Sequence, residues 1–114
     1  MSDTFADSLH ELEDARTALL QALHVLEAAV GGSLDLRSGS AAPSEILKRF
    51  EMDGTRAGVV SSLARFSRAY AACRSEAIKA LVDEEGRTLT DVARLTGHSR
   101  QRVSELYRHN SAAV

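Results

Sequence analysis

Four side chains with strong hydrogen-bonding heads, Arg100, Gln101, Ser104 and Arg108, lie close together near the end of a 114-residue chain. On a helix, spacings of one, three and four residues place them on or beside one outward face. An arginine so placed can bridge guanine O6 and N7, and a glutamine can bridge adenine N6 and N7. A serine serves a base or a phosphate. Thr88, Thr90, Arg94, His98 and Ser99 precede them and supply the hydroxyl, guanidinium and imidazole groups that suit phosphate oxygens. Arg102 stands at the flank, where either role is open. The alternative is an ordinary solvated, charged helix face.

The elements that must position these groups are legible. Thr88 and Asp91 form a T-x-x-D helix start, in which hydroxyl and carboxylate satisfy backbone amides reciprocally. Val92, Ala93 and Leu95 give the first helix a short apolar face, and Gly97 is the residue type that ends helices with positive φ. Ser99 is suited to cap a second helix, from Arg100 to about His109, with Val103, Leu106 and Tyr107 turned inward. Ala93, being small, would let two helices cross closely.

The spacing of Ala93, Gly97, Val103 and Leu106 matches the small-or-apolar anchor positions of bacterial helix-turn-helix proteins. The run Leu95-Thr-Gly-His-Ser-Arg-Gln-Arg-Val-Ser-Glu-Leu-Tyr-Arg108 resembles the small DNA-binding modules at the ends of resolvases and invertases. The resemblance covers 87–108, or 77–108 if Ala77–Gly86 is the leading helix. It implies that the helix beginning at Arg100 enters a DNA major groove. No recombinase catalytic domain accompanies it, so recombination is not implied.

Net charge is −2, an unpromising figure for a nucleic-acid binder until it is divided along the chain. Residues 1–30 hold six acids and one base, residues 31–85 eight of each, and residues 86–114 five bases and two acids. Positive charge therefore gathers on the motif, and the acidic end is kept away from phosphate. An excess of three positive charges is modest, so tight binding would call for two copies acting together.

The N-terminal third supplies a means of pairing. Phe5, Leu9, Leu12, Arg16, Leu19, Leu23, Leu26 and Val30 alternate steps of four and three, a heptad seam. Thr4 with Asp7 reads as the start of this helix and Gly31-Gly32 as its end. Arg16, the charged member, could set register, pair with Glu13 or snorkel outward. A second seam further along, which includes Leu63, Phe66 and Tyr70, joins it in the expected interface of a homodimer, coiled-coil in character. One member of an intramolecular bundle is the alternative.

Residues 31–43, rich in Gly and Ser, read as a flexible loop. Ser44 is expected to cap a short helix whose inward residues are Ile46, Leu47 and Phe50, closed by an Asp53-Gly54 turn. A single long helix is expected from about Thr55 to Glu85. The expected architecture is all-α: a helical dimerisation region over 1–76, a helix-turn-helix over 77–110 and a tail at 111–114.

Other chemistry finds little support. One cysteine, Cys73, sits on an apolar seam as a buried thiol and provides no disulfide framework. Four scattered histidines, no phosphate loop and no zinc spacing point away from an enzyme, a metal or any other cofactor. An acidic N-terminus without an apolar core to it argues against a signal peptide, and no apolar run is expected to approach the ~20 residues that span a bilayer. The expectation is a cytoplasmic, nucleoid-associated regulator of transcription that binds double-stranded DNA and no membrane. An adaptor that docks on another protein through the same surface is the rival. A third reading is an architectural DNA-binding protein.

Overall fold

The computed structural model describes residues 3–52 and 54–112, which are all-α. Five helices and no strand occur among the described residues: α1 Thr4–Ser38, α2 Pro43–Met52, α3 Thr55–Asp83, α4 Leu89–Thr96 and α5 Arg100–Ala112. The chain forms two compact units. One comprises Met1–Leu12 with Arg68–Val114, the other Glu13–Ser67. The part of α1 from Thr4 to Leu12 thus belongs with the C-terminal helices, and the division expected at 76/77 falls inside that unit. Ser111 and Ala112, expected in the tail, belong to α5, and 113–114 lie outside the described residues.

Asp3, rather than Thr4, caps α1: its Oδ1 accepts from the Ala6 amide at 3.0 Å. The Thr4 hydroxyl turns away and donates to Glu76 Oε2 of α3 at 2.8 Å, which fastens the start of α1 inside the first unit. A small cleft beside this contact is lined by Asp3, Glu76, Asp83 and Glu84 together with Lys79. Its predominantly negative lining would repel phosphate.

The flexible loop expected over 31–43 is not present. Helix α1 runs through Gly31 and Gly32 to Ser38, leaving Gly39–Ala42 as the connection. Each glycine costs a helix only about 1 kcal/mol, and the turns beyond them are held by partly covered Ser33 and Leu36. The real stop is a Schellman closure. The Ala41 amide donates to Leu36 O at 2.9 Å and the Ser40 amide to Arg37 O at 2.9 Å. Ser40 occupies the left-handed position with φ 71°, where glycine is usual. Helix α2 then begins at Pro43, one residue before the expected Ser44 cap, which suits proline's fixed φ and missing amide hydrogen. Ile46 is partly covered, but Leu47, expected to face inward, is 61% exposed. The side chain of Phe50 and the whole of Asp53 lie outside the described residues.

The expected heptad seam splits lengthwise. Phe5, Leu12, Leu19 and Leu26 are half-buried within the chain, in company with Ser8, Ala15, Ala22 and Ala29, and Ala15 is wholly buried. Leu9, Arg16, Leu23 and Val30 remain exposed. In α3, Phe66 and Cys73 are likewise covered, with fully or nearly buried Ala69 between them, while Leu63 and Tyr70 are exposed. Half of the line assigned to a second copy is therefore already covered by the chain itself. The small residues explain why: alanines and serines interleaved with the large residues let helices approach closely on that side.

Arg16 forms an ion pair with Glu13 along α1, Nε to Oε2 at 2.8 Å. Hydrogen bonding from Arg16, aided by its charge and opposed by slight burial, holds the Glu13 carboxyl below its ordinary range.

Helix α1 also exceeds the apolar length expected for it. An 18-residue window of mean hydropathy 1.2 makes it long and apolar enough to cross a membrane by length and composition. Thr17, Gln21, His24 and Glu27 nonetheless form a polar line along that stretch, which hydrocarbon would disfavour.

Helix α3 is continuous from Thr55 to Asp83. Its last turns build the core of the first unit, where Ile78 of α3, Val92 of α4 and Val103 and Leu106 of α5 are buried together. Leu81, Val82, Leu89, Ala93 and Tyr107 pack around them. Burial of each such aliphatic side chain is worth about 1.5–3 kcal/mol, and this cluster orients α5.

Candidate nucleic-acid interface

Helix α4 starts with a complete capping box. Thr88 Oγ1 accepts from the Asp91 amide at 3.1 Å, and the Thr88 amide donates to Asp91 Oδ2 at 3.4 Å. Eight residues later Gly97 adopts φ 76°, and its amide donates to Ala93 O at 2.9 Å, which ends the helix in a left-handed cap. The Thr96 hydroxyl donates to Val92 O at 2.8 Å and accepts from the His98 amide at 3.4 Å. Ser99 Oγ accepts from the Arg102 amide at 3.1 Å and caps α5. A turn of three residues, each with a defined bonding role, therefore sets the entry of α5.

Val92 and Val103 are fully buried and Leu106 nearly so, and Tyr107 packs beside them. The inward stripe of α5 is as expected. In α4 one member differs: Leu95 is 60% exposed, and Leu89 takes its place against the core. The helix is only eight residues long, so its inward face has room for Leu89, Val92 and Ala93. Leu95 lies roughly 200° around the axis from Ala93 at 3.6 residues per turn.

The polar residues gather on the outward side of α5 and on its flank beside Leu89. Arg100, Gln101 and Ser104 line one open concavity together with Leu89. Arg100, Gln101 and Arg108 are exposed and Ser104 is half-buried. Thr90 and Arg94 are exposed on α4, and His98 is half-buried in the turn. Thr88 and Ser99 have their hydroxyl oxygens engaged in capping, so their contribution to a ligand would come through the remaining hydroxyl hydrogen. The exposed guanidiniums and the N-terminal end of the α5 dipole give this side positive potential, suited to anionic oxygens.

Two residues on this surface are not evident from the residue types alone. Leu89 places an apolar wall beside the polar groups, and its position just after the Thr88 cap was the available signal. Glu105 stands one turn beyond Gln101, from whose Nε2 it accepts at 3.5 Å, and faces Arg102 Nη1 across 3.6 Å. Arg102 is therefore engaged within α5, on its flank.

The arrangement can do recognition chemistry: guanidinium, amide and hydroxyl groups on a rigid helix, with an apolar wall at their edge. Among the described residues no group of three or more His, Cys, Asp or Glu side chains converges for a metal ion. Comparison with protein-family models, with curated proteins and with solved structures finds no match for this chain.

Proposed function

We propose that this chain is a sequence-specific double-stranded DNA-binding protein, a homodimeric transcriptional regulator that reads the major groove with α5. The observation that carries the proposal is the presentation of Gln101 and Arg108 opposite buried Val103 and Leu106 on α5, with exposed Arg100 and half-buried Ser104 on the flank beside Leu89. A capped α4 and the left-handed turn at Gly97 are the local features by which a helix-turn-helix presents its second helix. In this reading Thr90, Arg94 and His98 meet phosphates, Ser99 and Thr88 border them, and Arg102 joins the flank.

Pairing of two copies would use the exposed half of the seam, Leu9 in the first unit and Leu23 and Val30 in the second. Two-fold symmetry then matches a palindromic site and doubles a modest charge. The site of action is the nucleoid of a bacterial cytoplasm.

The test is selection from a random DNA pool by the purified protein at about 0.15 M salt, which suppresses weak nonspecific binding. A palindromic consensus is the expected outcome; recovery of unselected sequence only would overturn the proposal. One observation favours a second reading. Leu95, exposed at 60%, is an apolar group on the outer side of α4 and would suit an adaptor that binds a protein partner. For an adaptor, Leu95→Ser would abolish capture of that partner, whereas for the DNA reader it would leave the selected consensus unchanged.

A further inference from the structure

We propose that Glu105 is a base-selecting residue that accepts a hydrogen bond from the N4 amino group of cytosine. The proposal rests on the DNA-binding reading above and deepens it.

With 3.6 residues per turn, the line opposite Val103 and Leu106 is Gln101, Glu105 and Arg108, spaced by four and three. An acid therefore stands on the outward side of α5, between Gln101 and Arg102. Near phosphate a carboxylate is repulsive, and there it would only weaken binding. In the major groove it has a specific partner, because cytosine offers an exocyclic amino donor and carboxylates accept from it. Glu105 is about half exposed, and in the free protein its two oxygens meet Gln101 Nε2 at 3.5 Å and Arg102 Nη1 at 3.6 Å. Both contacts are long, surface-exposed and readily exchanged for a base. The Gln101 amide and the Glu105 carboxylate lie side by side, one helical turn apart.

The geometry limits what the pair can read. Residues one turn apart are separated by about 5.4 Å along the helix, and bases on a strand repeat about every 3.4 Å. Gln101 and Glu105 would therefore address an adenine and a cytosine one or two base steps apart. Replacing the acid should have two opposite effects: loss of discrimination at one position, and tighter binding to DNA of arbitrary sequence.

The experiment is parallel selection from one random DNA pool with the full chain as wild type, Glu105→Ala and Glu105→Gln. Circular dichroism would verify that each remains helical. The wild type should enrich cytosine at one position by at least about tenfold over the next base. Glu105→Ala should bring that position to near parity, leave the others unchanged and bind unselected DNA more tightly. Glu105→Gln should shift the same position toward adenine, the base that an amide bridges. If wild type gives a consensus and both variants reproduce it at every position, this role for Glu105 is overturned and the DNA-binding reading survives. If wild type enriches nothing, both fall together.

Discussion

The hydroxyl of Tyr107 donates to Asp83 Oδ1 at 3.0 Å, joining the middle of α5 to the last residue of α3. Apolar packing fixes how deeply α5 sits; this bond gives it a polar tether as well. The hydrogen bond to Asp83 is the main reason the Tyr107 phenol is raised above its ordinary 10.0, followed by the Asp83 charge and burial. The raised value favours the protonated phenol, so the tether is present throughout the neutral range. Its contribution persists below the unfolded phenol's pKa and is lost as pH rises through the folded one. Following the Tyr107 ring resonances against pH should place the midpoint above 10.0 and bring it down in Asp83→Asn. An unchanged midpoint in that variant would remove Asp83 as the cause.

The core beneath the presented face predicts a contrast between two apolar residues. Ile78 is 1% exposed and Leu95 is 60% exposed. Ile78→Ala should cost about 2–5 kcal/mol through lost transfer energy and an unfilled cavity, a large part of the ~5–15 kcal/mol that holds a domain together. Leu95→Ser should stay within about ±0.5 kcal/mol, as surface substitutions do. Urea unfolding of the two variants measures both. A similar loss in each would mean that Leu95 is covered in solution, by a second copy for instance.

That contrast marks how far residue type could be read. Thr88, Asp91, Gly97 and Ser99 have strong local preferences, and the bonds that realise them are local, so α4, α5 and the turn between them were legible. Val103, Leu106 and Tyr107 followed from period alone. Leu95 did not, because a helix of eight residues leaves the period underdetermined and the choice between Leu89 and Leu95 is made by packing on the Ile78, Val92, Val103 and Leu106 cluster. The seam of α1 was harder for a related reason. Both halves obey one heptad rule, and only tertiary packing reveals that the side carrying Ala15, Ala22 and Ala29 is covered. Glu105 was obscured by its charge, since an acid is not the residue expected on a DNA-facing line.

The end of α1 gives a prediction about stability. Gly31-Gly32 has the residue type of a stop, yet the chain ends the helix at Ser38 with Ser40 held at φ 71°. A side chain in the left-handed region costs roughly 1–2 kcal/mol, partly offset by the greater unfolded freedom of glycine, about 0.5–1 kcal/mol. Ser40→Gly should therefore stabilise the chain by up to about 1 kcal/mol. Gly97→Ala, at φ 76° with open space around the missing methyl, should destabilise by a similar amount through backbone strain alone. Thermal unfolding should move the two variants in opposite directions; movement the same way would show that the αL conformation is not what sets the cost.

Pairing of two copies makes the most discriminating prediction, because the lengthwise split of the seam separates association from folding. Leu23 and Val30 remain 43% and 42% exposed within the chain, whereas Leu19 is partly covered. Charges introduced at Leu19 would harm the monomer itself. Leu23→Glu with Val30→Glu should leave helix content close to wild type, since neither side chain lies in the chain's own core, while the apolar line proposed for association is lost. Light scattering should then report a dimer for wild type and one chain for the double variant. The variant should still recognise a single half-site weakly but lose preference for the palindrome, because the second reading helix is no longer tethered to the first. A double variant that scatters as a dimer would move the interface to another surface, with Leu63 of α3 the next position to test.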